Sequence, residues 1–247
     1  MDLDLANRSF IVTGGTDGLG LATARCLLAE GATVLVTGRT DAKFHRMREE
    51  LCDAADRIDF LAGNNADPDL PERLRRAVIE RRGRLDGLLV SVGGPPAGAA
   101  LSTDDAAWRD AFESVFLGAV RLVRDLSGTM ADGSAIVLVL AVSAREAAPM
   151  FPISSGLRPG LALLAKNFAV ELGSRGIRVN TLLPGMFGTG RMRAQFAEEG
   201  PPVDHLPLRR IGEPEEFGRM ATVLLSRASS YVTGAAIAVD GGHTKVL

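Results

Sequence analysis

The chain has 247 residues, of which 46% are hydrophobic and 23% charged, and carries a formal net charge of −2. That is enough apolar material for one well-buried domain, and the near-neutral charge gives no electrostatic footprint for a nucleic acid partner. The longest apolar run, 135–142, is too short to span a bilayer, and Met1-Asp2-Leu3-Asp4-Leu5 lacks the basic start and apolar stretch of a signal peptide, so no membrane partner and a cytoplasmic location are expected.

In chain order, the apolar run Phe10-Ile11-Val12, with two β-branched residues, predicts a strand that turns through Thr13-Gly14-Gly15-Thr16-Asp17-Gly18-Leu19-Gly20 into a helix starting at Leu21. A strand that turns over glycines into a helix start suits a phosphate: the first-turn N–H groups are unpaired, they carry the positive end of the helix dipole, and glycines permit close approach. A second strand, Thr33-Val34-Leu35-Val36-Thr37, follows at the spacing of a βαβ unit and ends in Gly38-Arg39-Thr40. Cys26 and Cys52 fall at helix positions without metal-ligand spacing, so both are read as reduced thiols and no metal site is expected.

The pattern then predicts a charged helix over 41–53, a strand over 57–62, a polar turn containing Asn64 and Asn65, and a helix over 70–82 stopped by Gly83. A buried strand over 87–92 leads into Gly93-Gly94-Pro95-Pro96, and a long helix over 104–127 precedes the most apolar strand, 135–141. A helix over 155–172, a strand over 177–182 and a last strand over 235–240 complete the chain. Near-continuous Val/Ile/Leu strands alternating with helices imply a single α/β domain. Its doubly wound parallel sheet has about seven strands, helices on both faces and ligands at the carboxyl ends of the strands. The irregular stretch 186–210 is the expected substrate lid. Pro159 is tolerated only in a first helical turn, so the helix around it is expected to start late and to leave the aim of Arg158 open.

Thr13-Gly14-x-x-x-Gly18-x-Gly20, Leu85-Asp86-Gly87-Leu88, Trp108 with Gly118, Gly176-Ile177-Arg178-Val179-Asn180, Pro184-Gly185-x-x-x-Thr189 and Tyr231-Val232-Thr233-Gly234 followed by Val239-Asp240-Gly241-Gly242 run through nearly the whole chain. Together they resemble the short-chain dehydrogenases/reductases, especially the 3-oxoacyl-carrier-protein reductases. The resemblance implies a Rossmann-like fold and a nicotinamide cofactor held by Gly14, Thr16, Asp17, Gly18, Leu19, Gly20, Asn64, Asn65 and Gly93, with Pro184 and Gly185 shaping the nicotinamide pocket and Thr189 on the carboxamide. Where an NAD-selective member has an acid, this chain has Arg39 beside Thr40; an arginine can pair a 2′-phosphate, so NADP(H) is the expected cofactor.

The resemblance fails at the catalytic residues, which in the family are Asn, Ser, Tyr and Lys. Their positions fall on Val115, Ala141, Ser154 and Arg158, and the spacing between Ala141 and Ser154 is the family's, so no gap is involved. The chain's single tyrosine, Tyr231, belongs to the C-terminal motif. Ser154 and Ser143 are candidate hydrogen-bond donors, and Arg158 can hold ribose hydroxyls and supply charge to a developing alkoxide. A divergent branch of the family is similar in carrying Ser-x-x-x-Arg near a pair like Arg145-Glu146.

The resulting expectation is an atypical NADPH-dependent ketoreductase acting on a small hydrophobic or aromatic carbonyl compound, with substrate- or water-assisted protonation. Two alternatives stay open. One is a catalytically silent NADP(H)-binding protein; the other is an enzyme of non-redox chemistry using Arg145, Glu146, Arg191, Asp204 and His205. Met150, Phe151, Met186, Phe187, Met192 and Phe196 are candidate pocket liners. Apolar residues on more than one face of the helices over 104–127 and 155–172 predict a homotetramer or homodimer.

Overall fold

The computed structural model describes residues 2–91, 93–197 and 200–246; the side chains of Cys52 and Asp53 are also outside the description, as is Val92 at the end of one expected strand. Seven strands form one parallel sheet in the order β3-β2-β1-β4-β5-β6-β7. They are β1 (Ser9–Val12), β2 (Thr33–Gly38), β3 (Ile58–Ala62), β4 (Leu85–Val90), β5 (Met130–Val139), β6 (Arg178–Pro184) and β7 (Ala236–Val239). The strand order reverses between β1 and β4, so the chain leaves these neighbours in opposite directions and opens a crevice beyond their carboxyl ends.

The helices are α1 (Gly18–Ala29), α2 (Asp41–Glu50), α3 (Leu70–Arg82), α4 (Asp105–Ala111), α5 (Gly118–Ser127), α6 (Pro152–Leu172), α7 (Gly190–Gln195) and α8 (Pro214–Leu225). Alternation along the strands divides the core. Phe10 and Val12 point to the face covered by α1 and α8, among Leu27, Phe217 and Leu224. Ile11 points to the other face, where Leu74 of α3, Leu122 of α5 and Leu161 of α6 meet it. With both faces covered, every strand residue from Leu85 to Val90 is buried, which is why Leu88-Leu89-Val90 reads as an unbroken apolar run, while buried Asp86 is held by Ser9 N–H at 2.9 Å and by Arg84.

Several expected boundaries move. The helix over 41–53 ends at Glu50 and tightens into a 3₁₀ turn over Cys52–Arg57. The helix over 104–127 is interrupted by a π-helical segment, Phe112–Leu117. The stretch 186–210 is not wholly irregular, since it contains α7 and a bridge between Phe187 and Gly212.

The late start expected for the helix around Pro159 is wrong. The helix begins at Pro152, a position where a missing N–H costs nothing, and Pro159 lies inside it. Buried Leu161, Ala165 and Ala169 on the same helix supply tertiary packing that offsets the one hydrogen bond Pro159 removes.

One buried cation fastens the sheet to α8. Arg178 donates from Nη1 to the Leu224 carbonyl and to Ser229 Oγ, each at 2.8 Å, and from Nη2 to the Ser226 carbonyl at 2.8 Å, capping the negative end of the helix. Three charge-assisted bonds lost together, partly offset by removal of a buried charge, should make Arg178→Met lower the unfolding free energy by about 3 kcal/mol in urea denaturation, the range of a core truncation.

Candidate active site

The glycine turn is built around the ends of β1 and β4. Thr13 Oγ1 donates to the Ser91 carbonyl at 2.7 Å and accepts from the Ser91 N–H at 2.9 Å, locking the two strands across the reversal point. Gly14 lies at φ +60°, and a Cβ at Gly20 would run into the Gly14 carbonyl, so both positions need a residue without a side chain. Asp17 caps α1 by accepting from Gly18 N–H at 2.8 Å and pairs with Lys43 of α2. The N–H groups of Leu19 and Gly20 stand in the first turn, where helices offer no internal acceptor.

Around that turn the other expected cofactor residues divide. Thr16 packs its hydroxyl against Gly38 at the end of β2. Arg39 and Thr40 follow, both exposed, and Arg39 has no ion pair or hydrogen bond among the described residues. Thr40 is the N-cap residue of α2, without a side-chain cap bond. Asn64 is exposed and its Oδ1 accepts from Ala66 N–H at 3.2 Å. Asn65 is buried, and its Nδ2 donates inside the protein to Thr13 Oγ1 and to the Ser91 carbonyl, each at 3.3 Å, so this amide nitrogen braces the turn. Gly93 leaves open space where a side chain would be, beside a cavity of about 410 Å³ that also touches Pro95, Asp104, Asp110, Ser114 and Val115. Pro184 closes β6, Gly185 packs against Asp240, and Thr189 caps α7 with its methyl group next to Gly18.

The positions where the resemblance expects catalytic residues fall on the π-helical segment, on the 3₁₀ turn after β5 and on α6. Val115 is buried with Ala111 and Ile153, against Trp108 and Leu157, in place of any polar group. Ser143 lies on the 3₁₀ turn Val142–Ala144, which packs on α6. Its hydroxyl is 4% exposed as a residue and has no hydrogen-bond partner among the described residues. One turn separates Ser154 from Arg158 on α6, so both face the same way.

Arg158 is 4% exposed; its Nε donates to Ser154 Oγ and its Nη1 to the Val139 carbonyl, both at 3.1 Å. It forms no ion pair among the described residues. Burial, and next the charge of Arg191, pull its guanidinium down to about 10, so it remains charged at neutral pH. Because Ser154 accepts from the guanidinium, its own O–H is left to donate elsewhere. The continuous α6 therefore gives Arg158 a defined aim, which the expected late helix start had left open.

The loop candidates are mostly occupied in holding the structure. Arg145 donates to the Ala236 carbonyl, and Glu146 accepts from Lys245 N–H at 3.0 Å, tethering β7 and the segment after it. Asp204 lies 3.8 Å from Arg209, and the rings of His205 and His243 meet at 3.4 Å. Arg191 reaches from α7 across the crevice to the Gly94 and Pro95 carbonyls at 2.7 and 2.8 Å. Phe187 is corrected as a pocket liner, because it is buried edge-on against Phe217 in the core under α8.

The glycine cradle, Arg39 after β2 without a partner among the described residues, and the buried Arg158–Ser154 pair fit a dinucleotide with a second ligand next to it. Residues 14–244 match the family model described as enoyl-(acyl carrier protein) reductase. The chain belongs to the short-chain dehydrogenase/reductase family. Among curated relatives, cis-4-hydroxycyclohexanecarboxylate dehydrogenase from Sinomonas cyclohexanicum is 32% identical, over 98% of each chain. An uncharacterized oxidoreductase of Mycobacterium tuberculosis is 30% identical over 97% of this chain and 93% of its own. Among solved structures, L-sorbose reductase from Gluconobacter frateurii, complexed with NADPH and L-sorbose, superposes with a TM-score of 0.93 at 27% identity over all of both chains. This short-chain dehydrogenase/reductase is thus an NAD(P)-dependent oxidoreductase by family. No helix among its described residues is long and apolar enough to cross a membrane.

Proposed function

We propose that the chain is an NADPH-dependent reductase that delivers hydride to a carbonyl compound of hydrophobic or aromatic character, with the proton drawn from water or from the substrate. The observation that carries this reading is the pairing of Arg158 with Ser154 at the end of β5: a fixed cation and a hydroxyl donor stand together where the family resemblance puts lysine and tyrosine. The reduced nicotinamide supplies hydride when bound. Gly14, Gly18, Leu19 and Gly20 would hold the pyrophosphate on the α1 N-terminus, Arg39 the 2′-phosphate, Pro184, Gly185 and Thr189 the nicotinamide end. Arg158 and Ser154 orient the acceptor oxygen and stabilise the charge that develops on it. Loss of a general acid costs about 10²–10⁴-fold, whereas orienting the two reactants is worth roughly 10⁵–10⁸ M in effective molarity, so reduction without a phenol stays feasible.

The test is NADPH fluorescence on binding, followed by oxidation of NADPH with a panel of ketones and quinones. An NADPH complex with no turnover of any of them would favour a silent cofactor-binding protein. Within the active protein, Ser154→Ala should cost less than about tenfold in rate, since the hydroxyl helps orient the acceptor without being its acid. A thousandfold loss with folding and NADPH affinity intact would make Ser154 the donor instead.

Assembly as a homotetramer or homodimer belongs to the same proposal. Leu163 and Val170 on α6 are each 74% exposed, and Phe112 at the start of the π segment is exposed as well. Apolar side chains in one helix layer that water would otherwise cover favour a second copy. Light scattering at micromolar concentration should give at least twice the mass of one chain, and Leu163→Glu combined with Val170→Glu should shift it toward the monomer.

A further inference from the structure

We infer that His205 and His243 form a binding site for a divalent transition-metal ion of the zinc, nickel or copper type, and that the bound ion fastens the stretch after α7 to the turn after β7. The site stands apart from the reductase reading and holds or falls without it. Sequence spacing does not announce it, since the two histidines are 38 positions apart.

Two hydrogen-bonded turns hold the histidines in place. On the first, Leu206 N–H donates to the Val203 carbonyl at 2.9 Å and Arg209 N–H to the Leu206 carbonyl at 3.0 Å, while the Leu206 side chain, 1% exposed, anchors the turn in the interior. On the second, the Asp240 carboxylate accepts from Gly242 N–H at 2.9 Å and from the N–H and hydroxyl of Thr244 at 2.9 and 2.7 Å, and the Asp240 carbonyl accepts from His243 N–H at 3.2 Å. Those bonds fix the backbone on both sides of His243. The turns also touch each other: Leu208 N–H donates to the Gly241 carbonyl at 3.3 Å, and Gly242, at φ +83°, lies so close to Pro207 that a Cβ there would meet its ring at 2.7 Å.

Across this contact His205 Nε2 lies 3.4 Å from His243 Nδ1, with the ring planes at 86° and their centroids 5.0 Å apart. That separation is at the long end for a hydrogen bond. It is the separation a metal requires, because two imidazole nitrogens each about 2.0–2.1 Å from a tetrahedral zinc ion stand roughly 3.4 Å from one another. Binding uses the neutral tautomers that keep their N–H on Nδ1 of His205 and Nε2 of His243, which leaves the two facing nitrogens as lone-pair donors. His205 is exposed and His243 half-buried, so an ion reaches the pair directly from solvent. The charged side chains on the two turns are the carboxylates of Asp204 and Asp240 and the guanidinium of Arg209, 3.8 Å from Asp204, so the local charge does not oppose a cation. Imidazole selects zinc, nickel and copper, whereas magnesium and calcium demand oxygen ligands. No third histidine, cysteine or carboxylate completes a cluster among the described residues, so water fills the remaining positions and the ion exchanges readily.

The chain has three histidines, and the third, His45 on α2, serves as an internal control. The test is a proton NMR titration of the untagged full chain with Zn²⁺, following the three imidazole C2–H signals, each assigned by its loss in the corresponding alanine variant. One equivalent of Zn²⁺ should shift the His205 and His243 signals together and leave His45 in place; Cu²⁺ below one equivalent should broaden the same two by paramagnetic relaxation, and excess Mg²⁺ should move neither. In calorimetry His205→Ala and His243→Ala should each weaken Zn²⁺ by roughly tenfold or more, because the second nitrogen no longer binds intramolecularly, and each should remove the rise in melting temperature that Zn²⁺ gives the wild type. His45→Ala should keep both. Zn²⁺ that shifts one of the pair alone or all three histidines alike, or that leaves every signal unmoved, overturns the site. So does a Zn²⁺ affinity unchanged in a folded His205→Ala or His243→Ala protein, with melting curves in the absence of metal checking the fold.

Discussion

Arg158→Ala should lower turnover of any reduced acceptor by about 10²–10³-fold, the range lost when a preorganised donor to a developing oxyanion is removed. The guanidinium is held from two sides, by Ser154 Oγ and by the Val139 carbonyl, so its position is set before a ligand arrives. Removing it strips charge from the site and leaves the Val139 carbonyl unpaired in the interior, at a further cost of about 1–3 kcal/mol of stability. Arg158→Lys separates the two effects. A lysine restores the charge without the planar fork, so it should recover part of the rate and little of the orientation, visible as a KM that stays high while kcat rises. The charged form of Arg158 exists below about 10 and is lost as pH rises through that value. The wild-type rate should therefore stay flat from pH 6 to 9 so far as this residue controls it. A rate governed by Arg158 that climbs through neutrality would contradict its role as a fixed cation.

Arg39→Asp should weaken NADPH binding by about 2–3 kcal/mol, roughly 30- to 150-fold, and improve NADH relative to it. The arginine follows directly on β2, is exposed, and has no partner among the described residues, so it gives up no internal ion pair in taking a phosphate. Its replacement by a carboxylate adds repulsion of the 2′-phosphate to the loss of a donor and creates an acceptor for ribose hydroxyls. Fluorescence titration with both cofactors measures the switch. Equal wild-type affinity for NADH and NADPH would remove the assignment.

Much of this was legible from sequence because parallel sheets write themselves plainly. Strands buried on both faces leave unbroken Val/Ile/Leu runs, and 10–12, 33–37 and 135–139 fall inside β1, β2 and β5. Gly83 marked the end of α3 because a left-handed residue, here at φ 71°, is most cheaply a glycine. The turn at 13–20 was legible for the same reason, since Gly14 lies at φ +60° and Gly20 has no room for a side chain.

Sequence alone therefore carried the fold and the family. Tertiary structure decided what the residues at the expected catalytic positions can do. Local rules implied a late helix start around Pro159, but packing of Leu161, Ala165 and Ala169 keeps α6 continuous from Pro152, with Arg158 buried. Phe187 looked available to line a pocket, yet it packs edge-on against Phe217, and the Nδ2 of Asn65 is turned onto Thr13 and Ser91. That Arg158 has no carboxylate partner and Ser143 no hydrogen-bond partner among the described residues cannot be read from spacing at all. Both are statements about missing partners, and whether a buried group lacks one depends on everything the fold brings near it.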